Sequence, residues 1–229
     1  MSTVKVSWSG GKDSTCAVHL HINQGDKVKV VCYIPMFTDD IPLITKEHHE
    51  FILNTAERFR NMGADVYIVT GMTYFDYVTR ITTRGINKGK MFGFPSFIPK
   101  QCLFKKYSKI KALDQCDVGP YDYEDIGIAY DETERHNQLN KSKRSILVEK
   151  NYSENDCYLM CLEHNMLSPH YKFEKRDGCS LCGNATEIRR KKWFSDYPEA
   201  IPILIELQNL VKEKRPDRPP LRNYKYFIE

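Results

Sequence analysis

The chain has 229 residues, 34 Lys and Arg against 30 Asp and Glu, a net charge of +4, and 41% hydrophobic and 28% charged residues. That balance excludes a disordered or fibrous chain and is rich enough for a full globular core. No run approaches the roughly 20 apolar residues of a membrane-spanning helix, and the N-terminus shows no charged and apolar leader, so a cytoplasmic protein without a membrane partner is expected.

The alternation in Val4-Lys5-Val6-Ser7-Trp8 predicts a strand, the glycines of SGGKDS (residues 9–14) a tight loop, and STCAVHL (residues 14–20) a helix. Strand, glycine loop and helix together make a phosphate cradle. Gly10 and Gly11 permit the φ > 0 conformations in which consecutive N–H groups converge on an anion, and the helix adds the positive end of its dipole. Lys12 supplies a mobile charge, and Ser9 and Ser14 supply hydroxyl donors. Neither GxxxxGK[ST] nor GxGxxG is present, so the loop is neither a Walker A loop nor a dinucleotide loop.

KVKVVCYI (residues 27–34) is a near-continuous β-branched run and predicts a strand buried on both faces of a parallel sheet. Thr38, Asp39 and Asp40 follow at its carboxyl end, where open α/β sheets place ligand contacts. Asp39 is the candidate there for adenosine or a metal. Phe51, Ile52, Ala56 and Phe59 predict a helix within residues 44–62, stopped at Asn61-Met62-Gly63, and the pair His48-His49 on it reads as surface. A third strand is expected at 66–69 and a short helix at 74–78, giving βαβ units. Periodicity fails from 82 to 101, a length typical of a functional lid or an unstructured segment. A basic helical stretch, CLFKKYSKIKAL (residues 102–113), comes next.

EDIGIA (residues 124–129) predicts a strand that runs into Tyr130-Asp131-Glu132-Thr133-Glu134-Arg135. Acid, acid and base at a strand's carboxyl edge place Asp131, Glu132 and Arg135 beside the phosphates. Residues 146–148 predict a further strand, Ser153 caps a helix to about 163, and a last helix spans 200–214 before the proline-rich RPDRPP. The fold class expected is α/β, a Rossmann-like parallel sheet flanked by helices. Residues 1–150 would form the nucleotide-binding domain, and 151–229 a cysteine-containing helical region packed on it. Lys105, Lys106, Lys109, Lys111, Lys141, Lys143, Arg144, Arg189, Arg190, Lys191 and Lys192 form three basic clusters that suit a polyanion or, equally, solvated helix faces.

Eight cysteines in a reducing compartment point away from disulfides. Cys16 and Cys32 read as small buried hydrophobes. Gly178-Cys179-Ser180-Leu181-Cys182-Gly183 is a CxxC knuckle in which both sulfurs can face one ion. With Cys161 and Cys102 it makes a four-thiolate set for zinc or an iron–sulfur cluster. A competing set replaces Cys102 with Cys157, one turn from Cys161 on the same helix face. A thiol-redox use of the knuckle is a third reading.

Five blocks, SGGKDS (9–14), FGFPSFIPKQC (92–102), IGIAYDETER (126–135), CLEHNMLSPHY (161–171) and RDGCSLCGN (176–184), together resemble the phosphoadenosine phosphosulfate reductase-like family. That family belongs to the PP-loop, N-type ATP pyrophosphatases of the adenine nucleotide α-hydrolase superfamily. The resemblance is greatest to cysteine-rich members from phage and DNA phosphorothioation systems. It implies that Ser9, Gly10, Gly11, Lys12, Asp13 and Ser14 hold nucleotide phosphates and that Asp131, Glu132 and Arg135 complete the site. It also implies a metal or 4Fe–4S centre on Cys102, Cys161, Cys179 and Cys182. True sulfonucleotide reductases carry a catalytic cysteine in an ECGLH-like C-terminal motif, whereas this chain ends RNYKYFIE.

The chemistry implied is ATP binding with Mg2+, release of pyrophosphate and adenylation of an acceptor, with sulfur transfer to a nucleic acid or a small molecule as one outcome. Lys12 would hold the departing β and γ phosphates, Asp13 or the Asp131–Glu132 pair the magnesium, and Arg135 the α phosphate. Two other readings stand beside it: a sulfonucleotide reductase, and a nucleotide sensor with a structural zinc. The acceptor, and whether the chain works as an oligomer, are left open.

Overall fold

A computed structural model describes residues 1–95, 97, 98, 101–140, 142–176, 178–218 and 221. Lys141 of the second basic cluster lies outside the described residues, as do Ser96, Pro99, Lys100 and Asp177 of the quoted blocks and Pro219 and Pro220 of the tail. The chain runs through β1 (Thr3–Trp8), α1 (Lys12–Asn23), β2 (Lys27–Tyr33), α2 (Lys46–Asn61), β3 (Asp65–Val69) and α3 (Tyr74–Thr79). The hairpin of β4 (Phe97–Ile98) and β5 (Gln101–Cys102) leads into α4 (Leu103–Lys105), a π-helical turn over Lys106–Ile110, and α5 (Lys111–Gln115). β6 (Tyr123–Ile126), α6 (Thr133–Asn137), β7 (Lys143–Arg144), α7 (Ile146–Glu149) and α8 (Glu154–Glu163) follow. A 3-10 turn over Pro169–Lys172, α9 (Glu187–Asp196) and α10 (Ala200–Lys214) complete the series.

The fold is α/β, consistent with a Rossmann-like arrangement. Among the described residues a five-stranded sheet has the order β3-β2-β1-β6-β7, with every pairing parallel. β1 holds the centre because its alternation buries Val4, Val6 and Trp8, while β2 is buried from Val28 to Cys32, as a strand covered on both faces must be. Trp8 braces the strand end, its ring edge-on to Phe59 at 5.3 Å and its indole N–H donating to Thr15 Oγ1 at 2.9 Å. Among the described residues no helix is long and apolar enough to cross a membrane.

The chain divides into two compact units that interleave in sequence. The first takes Met1–Tyr33, Glu47–Val69 and Cys116–Asp177, and so contains the whole sheet together with residues 151–177, which were expected in the C-terminal region. The second takes Ile34–Lys46, Thr70–Gln115 and Gly178–Glu229. Its core is built on α10, whose Ala200, Leu204, Leu207 and Val211 recur at helical spacing and are all buried, and on Trp193, whose indole N–H donates to the Pro42 carbonyl at 2.8 Å.

Two expected elements differ. Residues 146–148, Ile-Leu-Val, are apolar but form α7, because the buried Asp125 carboxylate accepts the Ile146 N–H at 2.7 Å and the Ser145 hydroxyl donates to the Ile128 carbonyl at 2.7 Å, turning the chain into a helical start. Residues 82–93 of the segment read as aperiodic, with Arg80 and Ile81 before them, close on themselves through backbone bonds from Thr82 to Lys90, from Gly89 to Thr82 and from Phe92 to Arg80.

Asp125 also anchors a buried charge cluster in the first unit. His21 Nδ1 lies 2.9 Å from Asp26 Oδ2 and its Nε2 lies 3.3 Å from Asp125 Oδ2. Burial lowers the imidazole pKa, but the two carboxylates more than offset this and raise it above 6.5. Asp26 moves the other way, its burial outweighed by hydrogen bonds from Ser2, Gln24 and His21. For the raised group the stabilisation is complete below the unfolded pKa of 6.5 and is lost as pH rises through the folded value. For the lowered one it is present above 3.8 and lost as pH falls through the folded value. Stability should therefore peak between those limits. His21→Ala, which strands two carboxylates, should cost about 3–5 kcal/mol and abolish the alkaline limb of a denaturation-versus-pH curve; an unchanged limb would remove His21 as its source.

Candidate functional site

The order β3-β2-β1-β6-β7 reverses direction at β1, since the chain leaves β1 for one side of the sheet and later takes up the other. The carboxyl ends of β1 and β6 therefore flank the switch point at which open α/β sheets bind ligands. The Ser9–Ser14 loop follows β1, and Gly127 with Asp131 and Glu132 follows β6.

Of the two loop glycines only Gly10 takes positive φ, at 80°; Gly11 is the extended N-cap of α1, with φ −77°. A Cβ on Gly10 would lie 2.9 Å from both His48 Cε1 and Ile52 Cγ1, so the residue is required by space as well as by conformation. The loop is held by its own hydroxyls. Ser9 N–H donates to Ser14 Oγ at 3.2 Å, Gly11 N–H to Ser9 Oγ at 3.3 Å, and Ser14 Oγ to the Gly11 carbonyl at 3.1 Å. Lys12 N–H donates to the Tyr171 hydroxyl at 2.9 Å, which puts an oxygen atom on the first amide of the twelve-residue helix α1.

The Lys12 ammonium reaches Asp13 Oδ1 at 2.7 Å and Glu154 Oε2 at 3.0 Å. Burial opposes its charge, but the two carboxylates prevail and raise its pKa, so it is cationic at neutral pH. Asp13 is pushed up, first by burial and then by the negative charges of Glu154 and Glu132, against the pull of Lys12. Glu132 accepts the Ala129 N–H at 3.3 Å and both contacts of Arg135 Nη1, at 2.5 and 2.7 Å. Asp131 Oδ1 accepts the Glu154 N–H at 2.9 Å and so ties the β6 edge to the start of α8. Lys12, Asp13, Asp131, Glu132 and Arg135 thus fall in one neighbourhood, whereas Asp39 is exposed and belongs to the second unit.

Glu154, Tyr171 and Gly127 are site residues that sequence reasoning did not single out, and His48 is one that it set aside. A Cβ on Gly127 would lie 2.5 Å from Ser14 N and 2.8 Å from Asp13 C, so the end of β6 presses directly on the first turn of α1. A glycine inside a strand pattern is itself a signal of close backbone approach and could have marked it. His48, read as a surface residue, is buried, with Nδ1 2.7 Å from Ser168 Oγ; the same hydroxyl lies 2.8 Å from His170 Nδ1. Its burial follows from the face of α2 that packs on Gly10, which a helical periodicity alone does not identify. Glu154 gave no signal beyond following a helix-capping serine.

The cysteines fall into two groups. In the first unit Cys16, Cys157 and Cys161 are fully buried beneath the loop. Cys157, the alternative to Cys102 in the competing thiolate set, hydrogen-bonds with Cys16, whose thiol is raised by that bond first and by burial second. Cys161 Sγ donates to the Lys12 carbonyl at 3.3 Å, and burial with its neighbours Cys157 and Asp13 pushes it up to about 12. In the second unit Cys179 and Cys182 share the knuckle turn, with Cys182 N–H donating to the Cys179 carbonyl at 3.1 Å. Burial, then the charges of Cys182 and Cys102, push Cys179 up to about 12. These three thiols suit a soft metal in donor type. Cys161, the expected fourth, is in the first unit, and among the described residues no group of three or more His, Cys, Asp or Glu is arranged to hold a metal ion. Of the third basic cluster, Arg189 and Arg190 are buried rather than solvated, with Arg190 Nη2 donating to the Cys182 carbonyl at 3.1 Å.

If Gly127 braces the loop, Gly127→Ala should push the α1 terminus away at a cost of about 1–3 kcal/mol, lowering the melting temperature by roughly 2–12 °C for a chain of this size. Amide exchange at Asp13 and Ser14 should quicken; unchanged melting and exchange would mean that the strand end does not support the loop. Comparison with protein-family models finds no match to this chain, and comparison with curated proteins finds none either.

Proposed function

We propose that the chain is a PP-loop ATP pyrophosphatase-type enzyme that binds ATP in the Ser9–Ser14 loop, releases pyrophosphate and adenylates an acceptor. The observation that carries this reading is a buried, charged Lys12 at the N-terminus of α1, on a glycine loop at the switch point of a parallel sheet, paired with Asp13 and Glu154, with Glu132 bearing on Asp13. That reading brings with it the adenine nucleotide α-hydrolase class for the sheet.

In this mechanism an acceptor oxygen attacks the α phosphorus, the bond from that phosphorus to the bridging oxygen breaks, and pyrophosphate leaves with the electron pair. The barrier is mostly charge on the transferring group, so placement and electrostatics supply the catalysis. Lys12 N–H and its ammonium, with Ser9 and Ser14, hold the departing phosphates; a phosphate oxygen takes the place on the α1 amide that the Tyr171 hydroxyl marks. Arg135 is more than half exposed, and its guanidinium can turn from Glu132 to the α phosphate.

Asp13 and Glu132 fit Mg2+ in donor type, because that ion is held by one or two carboxylates together with substrate phosphates. When bound it neutralises charge on the phosphates. Asp131 acts through the start of α8 rather than at the phosphates. Zinc or an iron–sulfur cluster on Cys102, Cys161, Cys179 and Cys182 remains part of the reading, and no step of the phosphate chemistry is routed through it.

Lys12→Ala should release no pyrophosphate from ATP and magnesium and should weaken ATP binding about 10- to 150-fold, the worth of one charged hydrogen bond of roughly 1.5–3 kcal/mol. Unchanged affinity by calorimetry would remove the assignment. The raised Asp13 carboxyl adds a pH signature. Pyrophosphate release should fall as mild acid protonates Asp13, and Glu154→Gln, which removes a negative neighbour, should move that acidic limb to lower pH. A limb that stays in place would assign it to another group.

A further inference from the structure

The segment between Asp76 and Asp114 carries nine Lys and Arg and no Asp or Glu. In the second unit described residues of this run line a cavity of about 290 Å³ whose walls include Tyr77, Phe92, Tyr107, Arg84 and Arg218 and, among the described residues, no carboxylate. The acid nearest in sequence to Arg218, Asp217, is taken by Arg215, which binds it through Nε and Nη2 at 2.8 Å each.

The aromatic residues form one connected set. Tyr77 and Phe92 stand at 5.5 Å, Phe92 and Tyr107 at 5.5 Å, and the Arg80 guanidinium lies over both Phe92 and Tyr107, at 5.5 and 5.1 Å. Lys111 lies over Tyr107 at 5.4 Å. The wall that carries Arg84 is the self-closed loop of residues 80–93, pinned where Gly93, with φ 73°, passes 3.3 Å from the Arg218 side chain when a Cβ is built on it. Flat rings beside guanidinium groups, in a cavity large enough for one heterocycle and with positive charge leading away along α4 and α5, match a nucleobase carried on a phosphate backbone. An acidic protein segment would use the charge but not the ring-lined cavity. A lipid surface would use the exposed Ile86 and the charge but would leave the cavity unfilled.

We propose that this cavity binds one base of a single-stranded nucleic acid, stacked on Tyr107 with Phe92 edge-on beside it, and that Arg84, Arg218, Lys105, Lys106, Lys109 and Lys111 hold the flanking phosphates. No residue of the Lys12 loop is shared, so the inference does not rest on the ATP reading. That the strand is the acceptor for adenylation would rest on it.

Binding is read by fluorescence anisotropy with a labelled 20-nucleotide single-stranded DNA of mixed sequence, the same strand made abasic throughout, and an RNA of the same sequence. The intact chain should bind the base-bearing strand at least about fivefold more tightly than the abasic one, the lower end for a single base stack, with affinity falling as salt rises. Tyr107→Ala should erase that difference. Arg84→Glu, on an exposed loop that tolerates change, should weaken binding to both strands by about tenfold or more while leaving pyrophosphate release intact. Equal affinity for the intact and abasic strands would overturn the base pocket. So would a base preference untouched by both variants, or capture by vesicles containing phosphatidylserine without any oligonucleotide binding. If no variant and no wild-type protein releases pyrophosphate while base-dependent binding persists, the ATP reading fails and this one stands.

Discussion

Everything in the first unit depends on how little space there is where β1 and β6 end. Gly10 has His48 and Ile52 within contact of where a side chain would begin, and Gly127 has the backbone of Asp13 and Ser14 in the same relation. Two absent side chains let a loop, a helix start and a neighbouring strand end occupy one small volume. The result is that the N–H groups of α1 open toward the switch point of the sheet, and the Lys12 side chain is carried into a half-dry setting where charge interactions are stronger than in water.

A cation so placed must be balanced, and the carboxylates that balance it come from distant parts of the sequence. Asp13 is adjacent and Glu154 arrives from α8, while Glu132, from the turn after β6, pairs with Arg135 and bears on Asp13. Asp13 is raised first by burial and then by the negative charges of Glu154 and Glu132, so carboxylate charge is in surplus around it. An added cation relieves that surplus. Beneath it the thiols of Cys16 and Cys161 are held protonated by burial and by their neighbours, and Cys157 is buried beside them between α1 and α8.

The second unit is organised on different grounds. Its core is aromatic: Phe37 meets Trp193 edge-on at 5.4 Å, and Tyr74 meets Phe104 at 5.3 Å. Edge-to-face packing of this kind fixes ring orientation as well as burying area. The rings at the margin of that core, Phe92 and Tyr107, are only partly covered, and cations from three segments gather over and around them.

The sequence by itself determined the strand–loop–helix at the N-terminus, the doubly buried β2, the capped helix after Ser153 and the limits of α10, because each depends on short-range periodicity, glycine placement or a capping side chain. It also marked Lys12, Asp13, Glu132 and Arg135, because a strand's carboxyl edge is recognisable wherever it occurs. It did not determine that residues 146–148 turn into a helix, since the Asp125 carboxylate that starts it is buried in another strand. Nor did it determine that residues 34–46 and 70–115 group with 178–229, or that the Cys161 thiol donates to the Lys12 carbonyl. Those outcomes were decided by tertiary structure: a burial pattern fixes which face of an element is covered, while the partner that covers it is chosen by the packing of the whole chain.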